Sequence, residues 1–308
     1  MPDKTRMNLS AGVASVSVAI VLVGLKLWAL GETNALSIAA SLADSAMDLM
    51  VSLGGLAAIA YASRPADEDH AWGHTSAEDL AALGQSLFIL VSAGVIAWAA
   101  IARLLVGAPG LLAQEGRGIV VMAISIAMTA GLVLFQRRVA RTTGNRVVKA
   151  DSLHYLGDLI PNVGAILSLW ASAAFGLGQI DNVVALGAAV MLAVGAIRIF
   201  KGAWDALMDR SAPDEVVDEV ARIVDGFDGV EGYHDLKTRM AGSKTFITVH
   251  IEQDGSKTLS ETHAVAAALR RTLLRSIPGS DVMIHQDPSG EKPHPDDPSR
   301  HKHPTVPG

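Results

Sequence analysis

Residues 41–61 read SLADSAMDLMVSLGGLAAIAY, and residues 150–170 read ADSLHYLGDLIPNVGAILSLW. Each is an apolar stretch of about the length that crosses a bilayer. Each also carries two ionisable side chains one helical turn apart: Asp44 and Asp48 in the first, His154 and Asp158 in the second. An i, i+4 spacing puts both members of a pair on one helix face. Charges in a lipid-spanning helix are costly, so they turn toward a bundle interior or a wet cavity and mark an ion or proton pathway. Two such helices facing each other offer three carboxylates and one imidazole to a single divalent cation, a donor set suited to zinc and its first-row neighbours. Helix capping or packing explains any one of these residues, but not two paired motifs together.

The rest of the chain supplies the frame for that quartet. Half of its residues are hydrophobic, and its mean hydropathy is +0.34. Apolar runs of spanning length occur near 10–30, 36–62, 78–106, 118–137, 150–176 and 180–206, which predicts an α-helical membrane protein with six transmembrane helices. The first run is longer than the apolar core of a signal peptide and is interrupted by Lys26, so it is read as a helix. Basic residues set the orientation. The segment QRRVARTTGNRVVKA carries Arg137, Arg138, Arg141, Arg146 and Lys149, whereas GLGQIDN, at 176–182, has no Lys or Arg. The basic loop is therefore expected inside, with both termini cytoplasmic. Gly54, Gly55, Gly187 and Ala188 read as close-packing positions, and Pro161 as a kink near the second pair.

After Trp204 the long apolar runs give way to amphipathic alternation. A helix from Pro213 to Phe227, strands at 230–240 and 245–253 joined by Ala241-Gly242-Ser243, a helix at 259–276 and a short strand at 281–285 predict a small α+β domain of order αββαβ. The expected division is a membrane domain over 1–208, a soluble domain over 209–288 and a disordered tail over 289–308 rich in Pro, His and charge. His294, His301 and His303 in that tail read as solvated disorder. The net charge of −6 arises largely from this soluble portion, and no nucleic-acid partner is expected. With no cysteine, any transition metal must be held by His, Asp, Glu or backbone oxygen.

Two further clusters stand outside the apolar runs. Asp67, His70 and His74, in ADEDHAWGHTSAEDL at 66–80, have a D-x-x-H-x-x-x-H spacing that brings three ligands together on a turn, though an ordinary polar loop has the same composition. Glu68 and Asp69 are plausible alternative carboxylates. In the soluble domain, His234, His250, His263 and His285 fall on successive elements, and His285-x-Asp287 projects two donors to one face of a strand. From spacing alone, both a metal role and a set of tolerated surface residues stay open.

Together these residues resemble the cation diffusion facilitator family, in particular its bacterial zinc and iron efflux members, from the first helix to Asp287. The resemblance implies that Asp44, Asp48, His154 and Asp158 form a transport site for Zn2+, with Fe2+, Cd2+ and Mn2+ as other candidates. It implies a loop site at Asp67, His70 and His74, and a binuclear site in a metallochaperone-like cytoplasmic domain at His234, His250, His263, His285 and Asp287. It further implies a homodimer in the bacterial inner membrane that exchanges divalent metal for protons. One position departs from the pattern. Relatives of this type often carry a Lys two residues after the second loop His, paired with an Asp after the last span; here the position is Ser76, although Asp209 remains. Whether the charge interlock between transmembrane halves exists stays open: either the cytoplasmic domains mainly hold the dimer, or the transmembrane halves separate more easily. A membrane metalloenzyme and a non-transporting metal sensor or scaffold are the alternatives. An enzyme would require an open coordination position and a separate poised base, and no such constellation is visible. A sensor would present the same soluble domain.

Overall fold

The computed structural model describes residues 2–33, 36–106, 116–175 and 180–290. The tail histidines His294, His301 and His303 lie outside these residues, and the side chains of Pro161 and Trp170 lie outside the described ones. The chain divides into two compact units, one over 2–204 and one beginning at Asp205.

The first unit is helical: α1 (Pro2–Thr33), α2 (Leu36–Ala62), α3 (Ser76–Val106), α4 (Gly116–Thr143), α5 (Arg146–Phe175) and α6 (Ile180–Leu207), the last of which runs across the division. Among the described residues, five stretches are long and apolar enough to cross a membrane: Asp3–Ala29, Asp44–Ala62, Ser76–Ala102, Ala123–Thr143 and Val183–Leu207. The second half of α5 lies largely outside the residues whose side chains are described, and its first half carries Arg146, Lys149, Asp151, His154 and Asp158. Large apolar side chains project outward from these helices, including Trp98 at 76% and Leu105 at 83% exposure, an arrangement suited to lipid rather than water.

Small residues let the helices approach. A Cβ on Gly55 would stand 3.0 Å from Gln85 Nε2 and 3.3 Å from Val147 Cγ1, so α2 meets α3 and α5 closely there. Gly54 and Gly187, read above as packing positions, instead meet nothing within 4 Å among the described residues, and of the two adjacent glycines only Gly55 faces a neighbouring helix. Polar side chains tie the interior. Ser15 and Ser52 hydroxyls stand 2.8 Å apart, Ser52 and the Tyr155 hydroxyl 2.9 Å, and Gln136 Nε2 donates to Asp151 Oδ2 at 2.6 Å. These bonds link α1 to α2, α2 to α5 and α4 to α5, and each satisfies a polar group that apolar surroundings would otherwise penalise. In the first turn of α3, the buried carboxylate of Asp79 pairs with Arg146 of α5.

The second unit has the expected αββαβ order: α7 (Asp214–Asp225), β1 (Gly232–Ala241), β2 (Lys244–Gln253), α8 (Leu259–Ser276) and β3 (Ser280–Pro288). Strand β3 runs to Pro288, longer than 281–285, because its pairing with β2 continues beyond its apolar residues. The sheet order is β1-β2-β3, antiparallel between β1 and β2 and parallel between β2 and β3, with α8 as the crossover. Helix α8 begins with the Thr258 N–H donating to Glu261 Oε2 at 2.8 Å, which satisfies a donor at its open end. Val220 and Val224 of α7 and Ala266, Leu269 and Leu273 of α8 pack on Ile247, Val249, Ile251 and Val282. One sheet face is thus covered, and the other carries the alternate residues of each strand.

Asp209, at φ 54°, accepts a hydrogen bond from Arg239 Nη1 at 3.0 Å within the same unit. The carboxylate that the resemblance would pair with a loop lysine is therefore partnered inside its own chain, while Ser76 opens α3.

Candidate metal centres

The membrane quartet is built from α2 and α5. Asp48, His154 and Asp158 each offer a ligand atom, and the three atoms lie within 4.8 Å of one another. His154 Nε2 stands 3.1 Å from Asp48 Oδ1. Donors bound to zinc at about 2.0–2.1 Å sit about 3.3 Å apart at the corners of a tetrahedron, so this pair already has the spacing of two ligands to one ion. Asp44 lies one turn earlier on α2, exposed and outside that group of three.

A positive charge also reaches this site. Lys26 of α1 donates from Nζ to Ser45 Oγ at 2.6 Å, and its ammonium interacts electrostatically with Asp48, Asp44 and Asp158. In the sequence, Lys26 shows only as a break in an apolar run. Its partner helix could not be read there, because the contact joins residues 19 positions apart on two helices.

The loop trio converges between α2 and α3. His70 Nδ1 is 3.2 Å from Asp67 Oδ1, and His74 Nε2 is 3.2 Å from Asp67 Oδ2. The turn is closed by the His70 N–H donating to Asp67 Oδ1 at 2.7 Å and by the Gly73 N–H donating to the His70 carbonyl at 2.9 Å, with Gly73 at φ 87°. A left-handed φ is the conformation glycine adopts without penalty. The His70 backbone N–H is the main cause that holds the Asp67 carboxyl below its ordinary range, so its anionic, ligating form is favoured. Among the described residues the buried His74 Nδ1 has no hydrogen-bond partner, and Tyr61 packs edge-on to its ring with centroids 4.6 Å apart. Glu68 and Asp69 are exposed and stand outside the trio.

In the soluble unit the sheet register makes the site. His234 lies opposite His250, and His250 opposite His285, so three imidazoles form a row across β1, β2 and β3, with ring centroids 5.0 Å and 4.5 Å apart. Asp287 joins them. Its carboxylate is 3.0 Å from His250 Nδ1, 3.3 Å from His234 Nε2 and 3.3 Å from His285 Nε2. His234, His250 and Asp287 form the tight trio. Among the described residues the buried Nε2 of His234 has no hydrogen-bond partner although it stands 3.3 Å from the Asp287 carboxylate, a geometry that a shared cation would satisfy. Glu252, which sequence reasoning missed, adds an oxygen 3.9 Å from His234 Nε2. Its two-residue spacing from His250 on one strand was the available signal. His263 is exposed on α8 and stands apart from this cluster within the single chain.

His234 reaches that face through an irregularity. Two residues on, Leu236 is buried in the core, and strict alternation would have sent His234 the same way. Instead the pairing shifts between His234 and Lys237, and Asp235 adopts φ 50°. The extra residue turns His234 to the side of His250. Asp235→Val, which forces a β-branched residue into a left-handed φ, is expected to cost about 1–3 kcal/mol in a denaturant titration and to weaken zinc binding in the soluble unit. Asp235→Gly is expected to keep the stability within about 1 kcal/mol. Equal stability of the Val and Gly variants would remove the strain from this account.

Residues 12–208 match the cation efflux transmembrane domain, and residues 212–289 match the cation efflux protein cytoplasmic domain. The chain is 39% identical over 288 residues to the cation-efflux pump FieF of Klebsiella pneumoniae and 40% identical over 288 residues to that of Citrobacter koseri. Each match covers 94% of this chain and 95% of the relative. Among solved structures, the metal-bound C-terminal domain of the CzcD transporter from Thermotoga maritima is 28% identical, covering 25% of this chain and 91% of that one, with a TM-score of 0.24. The chain belongs to the cation efflux, or cation diffusion facilitator, family of membrane transporters.

Proposed function

We propose that this protein exports divalent transition-metal cations from the cytoplasm in exchange for protons. The observation that carries this reading is the convergence of Asp48, His154 and Asp158 from two membrane helices, with donor atoms within 4.8 Å. Asp44 on the same helix is the proposed fourth ligand, arriving in another access state. Imidazole and carboxylate bind protons as well as metal, so protons arriving from the far side compete the ion off the same atoms. Alternating exposure of the site by helix rocking then exchanges one for the other. The cargo is Zn2+ first, with Fe2+ or Cd2+ next and Mn2+ after them, because a carboxylate-imidazole set without thiolates accepts all four. Lys26 would hold part of the negative charge in check when the ion has left, by its proximity to the same carboxylates.

The proposed arrangement has six spans, with α5 crossing as the fifth: its His154 and Asp158 face Asp48, its Asp151 accepts from Gln136 and its Arg146 pairs with Asp79, so these groups meet polar partners rather than lipid. Both termini lie on the cytoplasmic side of the bacterial inner membrane, with a membrane domain to residue 208 and a cytoplasmic domain to 288. Two copies form a homodimer held mainly by the cytoplasmic domains, since Ser76 removes the lysine of the interlock and Asp209 is engaged by Arg239. Asp67, His70 and His74 gather ions at the entrance. His234, His250, His285 and Asp287, with His263 as a further ligand from α8, bind metal and favour one dimer arrangement, coupling cytoplasmic metal to transport.

Reconstituted vesicles loaded with a pH-sensitive dye test the proposal. An inward zinc gradient is expected to drive outward proton movement, and a competing panel of Fe2+, Cd2+ and Mn2+ ranks the cargo. Metal binding with no flux would replace the exporter by a sensor or scaffold.

A further inference from the structure

A cavity of about 580 Å³ opens between α4, α5 and α6, and its lining includes none of the residues of the three metal clusters. Its wall carries Arg137 and Arg141 from α4, Lys149 and Ser152 from α5, and Arg198 from α6, over an apolar floor that includes Leu153. The four cationic side chains are exposed, and among the described residues no acidic one lines the cavity. Among the described residues none of the four has a carboxylate within ion-pair distance; the basic neighbour that does, Arg146, is held by Asp79 and faces elsewhere.

Arg198 adds a second, independent observation. It lies inside the apolar stretch Val183–Leu207, nine residues before its end, which is about 13 Å along a helix. An arginine at that depth is retained where it meets an anion or a wet cavity. Among the described residues no carboxylate lies within ion-pair distance of Arg198, so an anion bound in this cavity would be supplied from outside the chain. Arg137 and Arg141 are one turn apart and look into the same space, and a guanidinium matches the paired oxygens of a phosphate.

We propose that this cavity binds the phosphodiester headgroup of an anionic phospholipid. The cations lie at the end of the helices that the charge asymmetry of the loops places on the cytoplasmic side, where the leaflet is negatively charged. A cavity between membrane helices, cationic above and apolar below, fits an amphiphile better than a freely soluble ion. Four cations favour a headgroup with net negative charge over a zwitterionic one, whose own ammonium would be repelled. Bound lipid would join α6 to the α4–α5 pair, next to the contact where Leu153 packs over Gly195.

The test uses the full chain in detergent and native mass spectrometry with cardiolipin, phosphatidylglycerol, phosphatidylcholine and inorganic phosphate as separate probes. Wild type is expected to retain cardiolipin or phosphatidylglycerol at least about tenfold better than phosphatidylcholine. Arg141→Gln/Arg198→Gln is expected to lower that retention about 30-fold, the factor for losing two basic contacts at an anionic surface. Because Arg198 lies within a span, Arg141→Gln/Lys149→Gln is measured beside it, with both changes at exposed helix ends and the same direction expected. Equal retention of anionic and zwitterionic lipid, or retention unchanged in both variants, overturns the proposal. Binding of inorganic phosphate without lipid preference overturns it too, and makes the cavity a site for soluble anions. No outcome depends on transport, so failure here is distinct from failure of the exporter reading.

Discussion

Asp48→Ala is expected to lower metal-driven proton flux in reconstituted vesicles by more than about 100-fold. Altering a residue that merely supports a metal ligand already costs about 10–100-fold in affinity or activity, and Asp48 is itself placed to bind. In this structure its carboxylate and the His154 imidazole stand 3.1 Å apart, and removing it leaves His154 and Asp158 alone on α5. The fold is expected to survive, because the bonds that tie α2 to its neighbours run through Ser52 and Tyr155, one turn away. Unchanged thermal unfolding together with lost flux is the predicted pair of results. Normal flux in this variant would sink the assignment of the transport site. Asp44→Ala separates binding from access: with Asp44 outside the cluster in this conformation, equilibrium zinc binding is expected to fall less than flux does.

Asp287→Ala should have the second largest effect, a loss of about 100-fold or more in zinc affinity at the cytoplasmic domain, read by chelator-buffered titration of full-length protein already carrying Asp48→Ala. Asp287 is singled out because one carboxylate faces three imidazoles, at 3.0, 3.3 and 3.3 Å. Without it the histidine row keeps nitrogen donors but loses the anion that offsets the ion's charge. His285 is the exposed end of the row, so His285→Ala should reduce the metal sensitivity of transport while leaving maximal flux in place. Metal dependence unchanged by either substitution would show that this cluster does not regulate. Imidazole nitrogens bind protons as well as metal, so zinc affinity in the wild type should weaken in acid as protons compete for the same atoms.

The readable parts of this protein are those whose period is local. The i, i+4 pairs Asp44/Asp48 and His154/Asp158, the D-x-x-H-x-x-x-H loop and the alternation of the soluble domain all follow from helix and strand geometry acting over a few residues. The αββαβ order was legible for the same reason. Strand ends were less so, because β3 is extended by its partner rather than by its own apolar residues. Gly54 and Gly55 show the same boundary, since two adjacent glycines look identical in sequence and only one meets a neighbouring helix.

What the sequence determined by itself was the class of protein and the chemistry of its sites: long apolar helices, a small soluble α+β unit, and carboxylate and imidazole donors with no thiolate. Tertiary structure alone decided which donors meet. It brought Asp48 to His154 across 106 positions of chain, set Asp44 and His263 apart from the tight clusters, added Lys26 and Glu252, and turned His234 out of the core through the bulge at Asp235. The physical reason is that residue spacing fixes direction only within one element. Which elements face each other depends on packing among distant segments, where a single shift in register moves a side chain from the core to the site.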